Sequence, residues 1–233
     1  MSWLAVTLGE GKGTLLVAGM IAWFLQMGFH EGGHAWAAYR LGDKTAYYLG
    51  KVTVNPFRHI EWKNPMYVIS AVVMPAVTVL TLGFPLGMAW VPVNPGNFRH
   101  PLRDHAIVAF AGPAGGFVVA AVVLAIWIAI YPFFGGEITF AMQLLHLVIT
   151  MTYITAVIYS VFNLVPIPPL DGSNIVYFFG NEALRSFMDK IRPYGFFIVI
   201  AVFWILPGGV LLDPFFKAVI WPFVNLPGMI WGS

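Results

Sequence analysis

The sequence predicts an all-α polytopic membrane protein, a bundle of about four to six membrane helices that includes a re-entrant hairpin and a short β-hairpin. Three observations predict it. Of 233 residues, 59% are hydrophobic and only 9% charged, against roughly 25% charged in soluble domains. Several apolar runs approach the ~20 residues that a helix needs to cross a bilayer. Prolines and glycines interrupt the pattern where a span has to stop or turn. The length suits one compact bundle and no sizeable soluble domain. Residues 1–233 therefore read as a single integral membrane domain, with a core over 14–176 and membrane or interfacial segments over 177–233.

Composition also excludes function classes. A net charge of +2 is too small to suggest nucleic acid, so the basic residues read as topology signals and the lipid bilayer is the expected partner. There is no cysteine, which removes disulfides, thiolate catalysis and Cys-ligated metal. Any metal must be held by His, Asp or Glu.

The first helix reads from about Thr14 to Tyr39. Its apolar run starts late and continues into ionisable residues, unlike a cleavable signal, so the N-terminus is expected to be retained. Residues 41–65 are polar and basic. Within them "AYYLGKVTV" (46–54) has the β-branched and aromatic pattern of a short strand or hairpin, an edge that could pair with an extended peptide. Residues 66–92 are apolar but carry Pro75, Gly83, Pro85 and Gly87. Clean helices follow from about Ala106 to Tyr131 and from about Ile138 to Phe162, separated by "PFFGGE". Residues 194–212 could span again, and the aromatic, proline-broken tail suits the bilayer interface.

The topology turns on residues 66–92. If they span, the basic residues divide evenly between the two sides. If they re-enter, ten of the twelve fall on one side, leaving only Lys12 and Lys217 on the other. The positive-inside rule favours the hairpin, with the basic side cytoplasmic.

The chemistry lies in His30-Glu31-Gly32-Gly33-His34, an H-E-x-x-H. On a helix, positions i and i+4 share a face, so both imidazoles can reach one zinc. Glu31, on the adjoining flank, is placed to act as general base. Ionisable groups are expensive in a membrane helix, so three within one turn read as a functional site. Gly32 and Gly33 each give up about 1 kcal/mol of helix propensity relative to Ala; close backbone packing is the favoured reason, ahead of substrate access.

Two histidines leave a catalytic zinc one protein ligand short. Asp171, in "NLVPIPPLDG" (163–172), is the best candidate. Prolines at 166, 168 and 169 prevent helix continuation and let a carboxylate leave the helical path. The same carboxylate could instead cap a helix at a membrane exit. Geometry favours the metal: His30 and His34 lie roughly 9–15 Å inside the Arg40 end of their helix, and Asp171 follows a helix end that the hairpin topology brings to the same side. His146 reads as an interhelical hydrogen bonder, and His59, His100 and His105 as residues of polar turns or the headgroup region.

With these residues in view, the chain resembles the site-2 proteases, which are intramembrane zinc metalloproteases. The matching elements are "HEGGH" (30–34), "NPFRHIEWKNP" (55–65), "AGPAGG" (111–116) and "NLVPIPPLDG" (163–172). The layout looks most like the compact bacterial subgroup without an appended PDZ or CBS domain. The resemblance implies zinc held by His30, His34 and Asp171, with Glu31 as catalytic base. It also implies that Asn163 holds substrate backbone or the oxyanion. One position departs from the pattern: the third element often ends in Asn, where this chain has Gly116.

The resemblance implies a zinc-dependent endopeptidase that hydrolyses membrane-spanning protein substrates in a bacterial cell membrane, with its active site toward the cytoplasm. The rival is a non-proteolytic metal-binding membrane protein, either a metal transporter or an inactive protease relative. Few polar residues line the outer half beyond His146, which speaks against transport. The presence of all four motif residues speaks against inactivity.

Overall fold

The computed structural model describes residues 11–134, 139–205 and 208–231. The expectation of a retained N-terminus falls largely outside these residues, as does the second half of the "PFFGGE" loop. Among the described residues, eight helices carry the fold: α1 (Lys12–Leu41), α2 (Pro65–Leu82), α3 (Pro101–Ile130), α4 (Phe140–Asn163), α5 (Asp171–Phe179), α6 (Glu182–Ile191), α7 (Gly195–Ile205) and α8 (Gly208–Trp231). Among the described residues, α1, α2, α4 and the stretch Pro101–Phe134 are long and apolar enough to cross a membrane. The chain is thus an integral membrane protein built on four such helices.

The bundle centres on α1, α3 and α4. Gly42, with φ +111°, ends α1 in the left-handed conformation that glycine adopts without strain. Beyond it, buried Asp43 accepts hydrogen bonds from the Asn94 backbone N–H at 2.7 Å and from Asn97 Nδ2 at 2.8 Å. This ties the C-terminal end of α1 to the segment leading into α3. Phe98 then packs on Ala37, Ala38 and Val108. α1 and α3 are therefore antiparallel neighbours, and α4 returns so that its C-terminal end meets the same end of the bundle.

Two expectations need correction. Residues 46–54 are not a strand or hairpin: Thr45–Tyr48 is a single helical turn, and no strand occurs among the described residues. The β-branched pattern is overridden because Asp43 caps this turn through the Thr45 N–H at 3.0 Å, and residues 53–56 lie against glycines of α1 instead of pairing. The re-entrant hairpin over 66–92 is not supported either. Pro65–Leu82 is one continuous helix of 18 residues, long enough to cross. Pro75 does not break it: it follows a π-helical turn over Ile69–Val73, at the start of the α-helical run Met74–Leu82, and the carbonyl it frees finds a donor on another helix. After Gly83 (φ +73°) the chain continues without helix, and its Met88 N–H donates to the Ser70 carbonyl at 3.1 Å. Residues 84–94 thus run back beside α2.

The same physics recurs at three prolines. A proline lacks the N–H that would bond the carbonyl four residues before it, and in an apolar medium that carbonyl needs another donor. Pro75 frees the carbonyl of Ala71, which accepts from Trp23 Nε1 at 2.8 Å. Pro227, inside α8, frees that of Phe223, which accepts from Trp127 Nε1 at 3.0 Å. Pro132 frees that of Ile128, which accepts from Trp231 Nε1 at 2.8 Å. Each bond joins two helices. The tail prolines therefore sit within one helix, α8, and do not break it. The possible span over 194–212 falls partly outside the described residues: α7 covers Gly195–Ile205 and α8 begins at Gly208.

Trp23→Phe should leave the Ala71 carbonyl unpaired and lower stability by about 1–3 kcal/mol. In a Pro75→Ala background, where the helical donor returns, the same substitution should cost less. A double-mutant cycle on thermal unfolding in detergent measures that coupling.

Candidate active site

The site forms where α1, α3, α4 and the start of α5 converge. Close approach of α1 and α3 comes from glycine. A methyl group at Gly33 would collide with the Ala111 carbonyl oxygen, and one at Gly112 would enter the His34 ring. On its other side α1 receives the 53–54 backbone: a methyl group at Gly32 would come 2.7 Å from the Thr53 carbonyl oxygen. The two glycines between the histidines are therefore packing residues, and each faces a different neighbour. His59, expected in a polar turn, is instead fully buried; its Nε2–H donates to that Thr53 carbonyl at 2.9 Å. Burial pushes the His59 imidazole below its ordinary range.

Packing against α3 also fixes His34. Its Nδ1–H donates to the Val108 carbonyl at 2.7 Å. A carbonyl only accepts, so the neutral ring carries its lone pair on Nε2. That lone pair points at His30 Nε2, 3.1 Å away, and at Asp171 Oδ2, 3.3 Å away. The third side, His30 Nε2 to Asp171 Oδ2, measures 3.2 Å. Tetrahedral zinc with bonds of about 2.0–2.1 Å separates its ligand atoms by about 3.3–3.4 Å. The triangle has the dimensions of one face of that tetrahedron. Three acceptors facing one another also repel unless a cation or proton lies among them. Geometry and donor chemistry therefore both fit zinc.

Asp171 reaches this place because the 164–170 segment leaves the helical path and α5 restarts at residue 171. Gly172 lets the turn close, since a methyl group there would strike the Leu164 carbonyl. Burial alone would raise the Asp171 carboxyl, but without metal the facing imidazoles, when protonated, outweigh it and hold the group below the usual carboxylate range.

Glu31 is buried, 5% exposed, and lines two adjoining cavities. The smaller, about 240 Å3, contains His30, His34 and Asp171. The larger, about 530 Å3, is mostly apolar and is walled by residues 84–90, α1 and α4. His30, Glu31, Ala89, Trp90, Asn163 and Pro169 border both. Asn163 thus sits at the junction, its Nδ2 donating to the Tyr159 carbonyl at 3.0 Å.

Sequence reasoning missed three residues here. His105 and Asn174 line the smaller cavity; Asn174, three residues after Asp171 on a helix, was legible by spacing. Gln26 lies one turn before His30 and is buried. A polar residue four positions from a ligand in an apolar run was a usable signal. His146 does not bond another helix as expected: its Nε2 pairs with Thr150 on its own helix at 3.4 Å, and its ring packs on Trp127.

Two relatives match most of the chain. A protein of Bacillus subtilis (strain 168) described as "Putative zinc metalloprotease YwhC" is 28% identical over 198 residues, covering 84% of this chain and 80% of its own length. One of Mycolicibacterium smegmatis (strain ATCC 700084 / mc(2)155), "Putative zinc metalloprotease Rip2", is 30% identical over 213 residues, covering 90% of this chain and 73% of its own length. The chain belongs to this site-2 protease-like metalloprotease family. No family model matches the chain, and no solved structure matches it. Family membership makes zinc the cofactor, and His30, His34 and Asp171 are the group of described residues that could hold it.

For this metalloprotease, Asp171→Ala should reduce zinc binding by at least tenfold in a chelator competition while the chain remains folded. Gly112→Ala should do so too, because its new methyl group displaces the His34 ring. Gly33→Ala should instead lower the thermal midpoint, at a cost of about 1–3 kcal/mol, as overpacking does.

Proposed function

We propose that the chain is a zinc-dependent endopeptidase that cleaves membrane-spanning protein substrates within the bilayer. The single observation that carries this reading is the junction of the two cavities. A metal-sized triangle of ligands and a buried carboxylate open there into an apolar chamber inside a bundle of membrane-length helices. An apolar chamber suits the side chains of a membrane segment. A substrate helix hides its carbonyls in hydrogen bonds, so the segment must unwind before it reacts.

When bound, zinc polarises the scissile carbonyl and makes the attacking water a better nucleophile at neutral pH. Glu31 takes the proton of that water and delivers it to the departing amine, so the base becomes the acid within one turnover. Its burial keeps the carboxylate away from bulk water and strengthens its interaction with the charge that develops nearby. Asn163, at the mouth between the chambers, holds the substrate main chain through its amide. The wall at 84–90 confines the unwound segment against α1 and α4.

The active site faces the cytoplasm in this proposal. Arg40, Lys44, Arg99 and Arg103 lie at the end of the bundle where Asp43 joins α1 to the entry of α3. A cluster of basic residues flanking spans marks the cytoplasmic side. Water reaches the metal from that end.

Glu31→Gln is the decisive variant. It should keep zinc and lose about 10²–10⁴-fold in cleavage of a membrane-anchored substrate, measured by comparing membrane peptides released by the two proteins in a common membrane preparation. Retained cleavage would remove Glu31 from the mechanism. Unchanged metal flux with no cleavage by either protein would favour transport.

A further inference from the structure

The two histidine ligands are held unequally. His34 has its Nδ1–H fixed by the Val108 carbonyl. His30 Nδ1 is buried with no hydrogen-bond partner. Metal-bound histidines almost always donate that second nitrogen to an acceptor, which sets the tautomer and aims the ring. One ligand of this site therefore lacks an acceptor that the other has.

An unused acceptor lies one turn away. Gln26 is 1% exposed, and neither its Oε1 nor its Nε2 has a partner. Buried polar atoms left unpaired are costly, so a residue carrying two of them in an apolar helix needs a reason. Gln26 stands four residues before His30 on α1, the spacing that puts both on one helix face. Side chains on a helix lean toward its N-terminus, so the His30 ring leans toward the turn that bears Gln26. A methyl group at Gly116 would come 2.7 Å from Gln26 Oε1 and 2.9 Å from Nε2, and it would also touch Ser160 Oγ. The missing side chain at Gly116 thus provides the room in which this amide sits beside Ser160. Ser160 donates its own proton to the Ala156 carbonyl at 2.7 Å, which leaves its oxygen free to accept.

We propose that Gln26 is the positioning residue for the zinc ligand His30. Its Oε1 accepts from His30 Nδ1–H and its Nε2 donates to Ser160 Oγ, so that zinc binding at His30 Nε2 closes a chain of hydrogen bonds from the metal into α4. The chain fixes the His30 tautomer with its lone pair toward the metal. It also pairs three polar atoms that are otherwise orphaned. Gln26 touches neither the metal nor the substrate; it acts through His30.

The test uses the full-length chain in detergent and Gln26→Met, which keeps the length of the side chain and removes both amide atoms. Metal-free Gln26→Met should unfold at the same temperature as wild type or higher, since two unpaired polar groups are gone. Its zinc affinity, from chelator competition, should fall about 10–100-fold, the usual effect of removing such a partner. The visible absorption bands of the cobalt(II)-substituted protein should shift as well. Gln26→Glu, which retains an acceptor oxygen, should restore zinc affinity to within a few-fold of wild type. Zinc affinity of Gln26→Met within twofold of wild type would overturn the proposal. A loss of affinity that merely tracks a lower metal-free unfolding temperature would overturn it too, by assigning Gln26 to folding. Both readouts are taken without substrate, so they stand apart from the peptidase reading.

Discussion

The site depends on how closely the backbones of α1 and α3 approach. Without hydrophobic drive between helices in lipid, small residues and direct contact hold a bundle together. Gly33 meets the Ala111 carbonyl and Gly112 meets the His34 ring, so the two helices touch where the chemistry is. That contact does more than pack. It brings the Val108 carbonyl within reach of His34 Nδ1 and so turns the Nε2 lone pair toward His30 and Asp171. Widening the gap by one methyl group would disturb the tautomer, the ring and the metal together.

A second constraint shapes everything around the site. Backbone polar groups inside a membrane need partners within the protein, and this chain places prolines inside or beside its long helices. It meets the resulting shortage with tryptophan. Trp23, Trp127 and Trp231 each carry an indole N–H to a carbonyl whose helical donor is a proline. These bonds are directional, so they set rotation as well as contact. At Pro75 the consequence reaches the site. The Ser70 carbonyl holds Met88 of the returning segment, and that segment forms a wall of the larger chamber.

Much was legible in the sequence. The H-E-x-x-H spacing made His30 and His34 legible as a pair that could share a metal, because the helical period alone puts them on one face. Asp171 was legible because three prolines force the preceding stretch off the helix. Three of the four membrane-length helices were legible because length and apolarity are local properties; the fourth, Pro65–Leu82, was read as part of a hairpin. The strand at 46–54 was misread, since a β-like pattern yields to a side chain such as Asp43 that caps a turn. The hairpin at 66–92 is not supported, since proline in a helix breaks it only when the carbonyl it frees finds no other donor, and Trp23 supplies one here.

The sequence by itself determined which atoms could bind a metal and which segments prefer lipid, because both follow from residue type and short-range spacing. The tertiary structure decided what those atoms face. Nothing local says that Gly32 and Gly33 serve two different neighbours, or that His34 finds a carbonyl 74 positions away. Nothing local sets Gln26 beside Ser160 in space left by Gly116. Those pairings arise from the relative placement of whole helices, which is fixed by many contacts between residues distant in the chain.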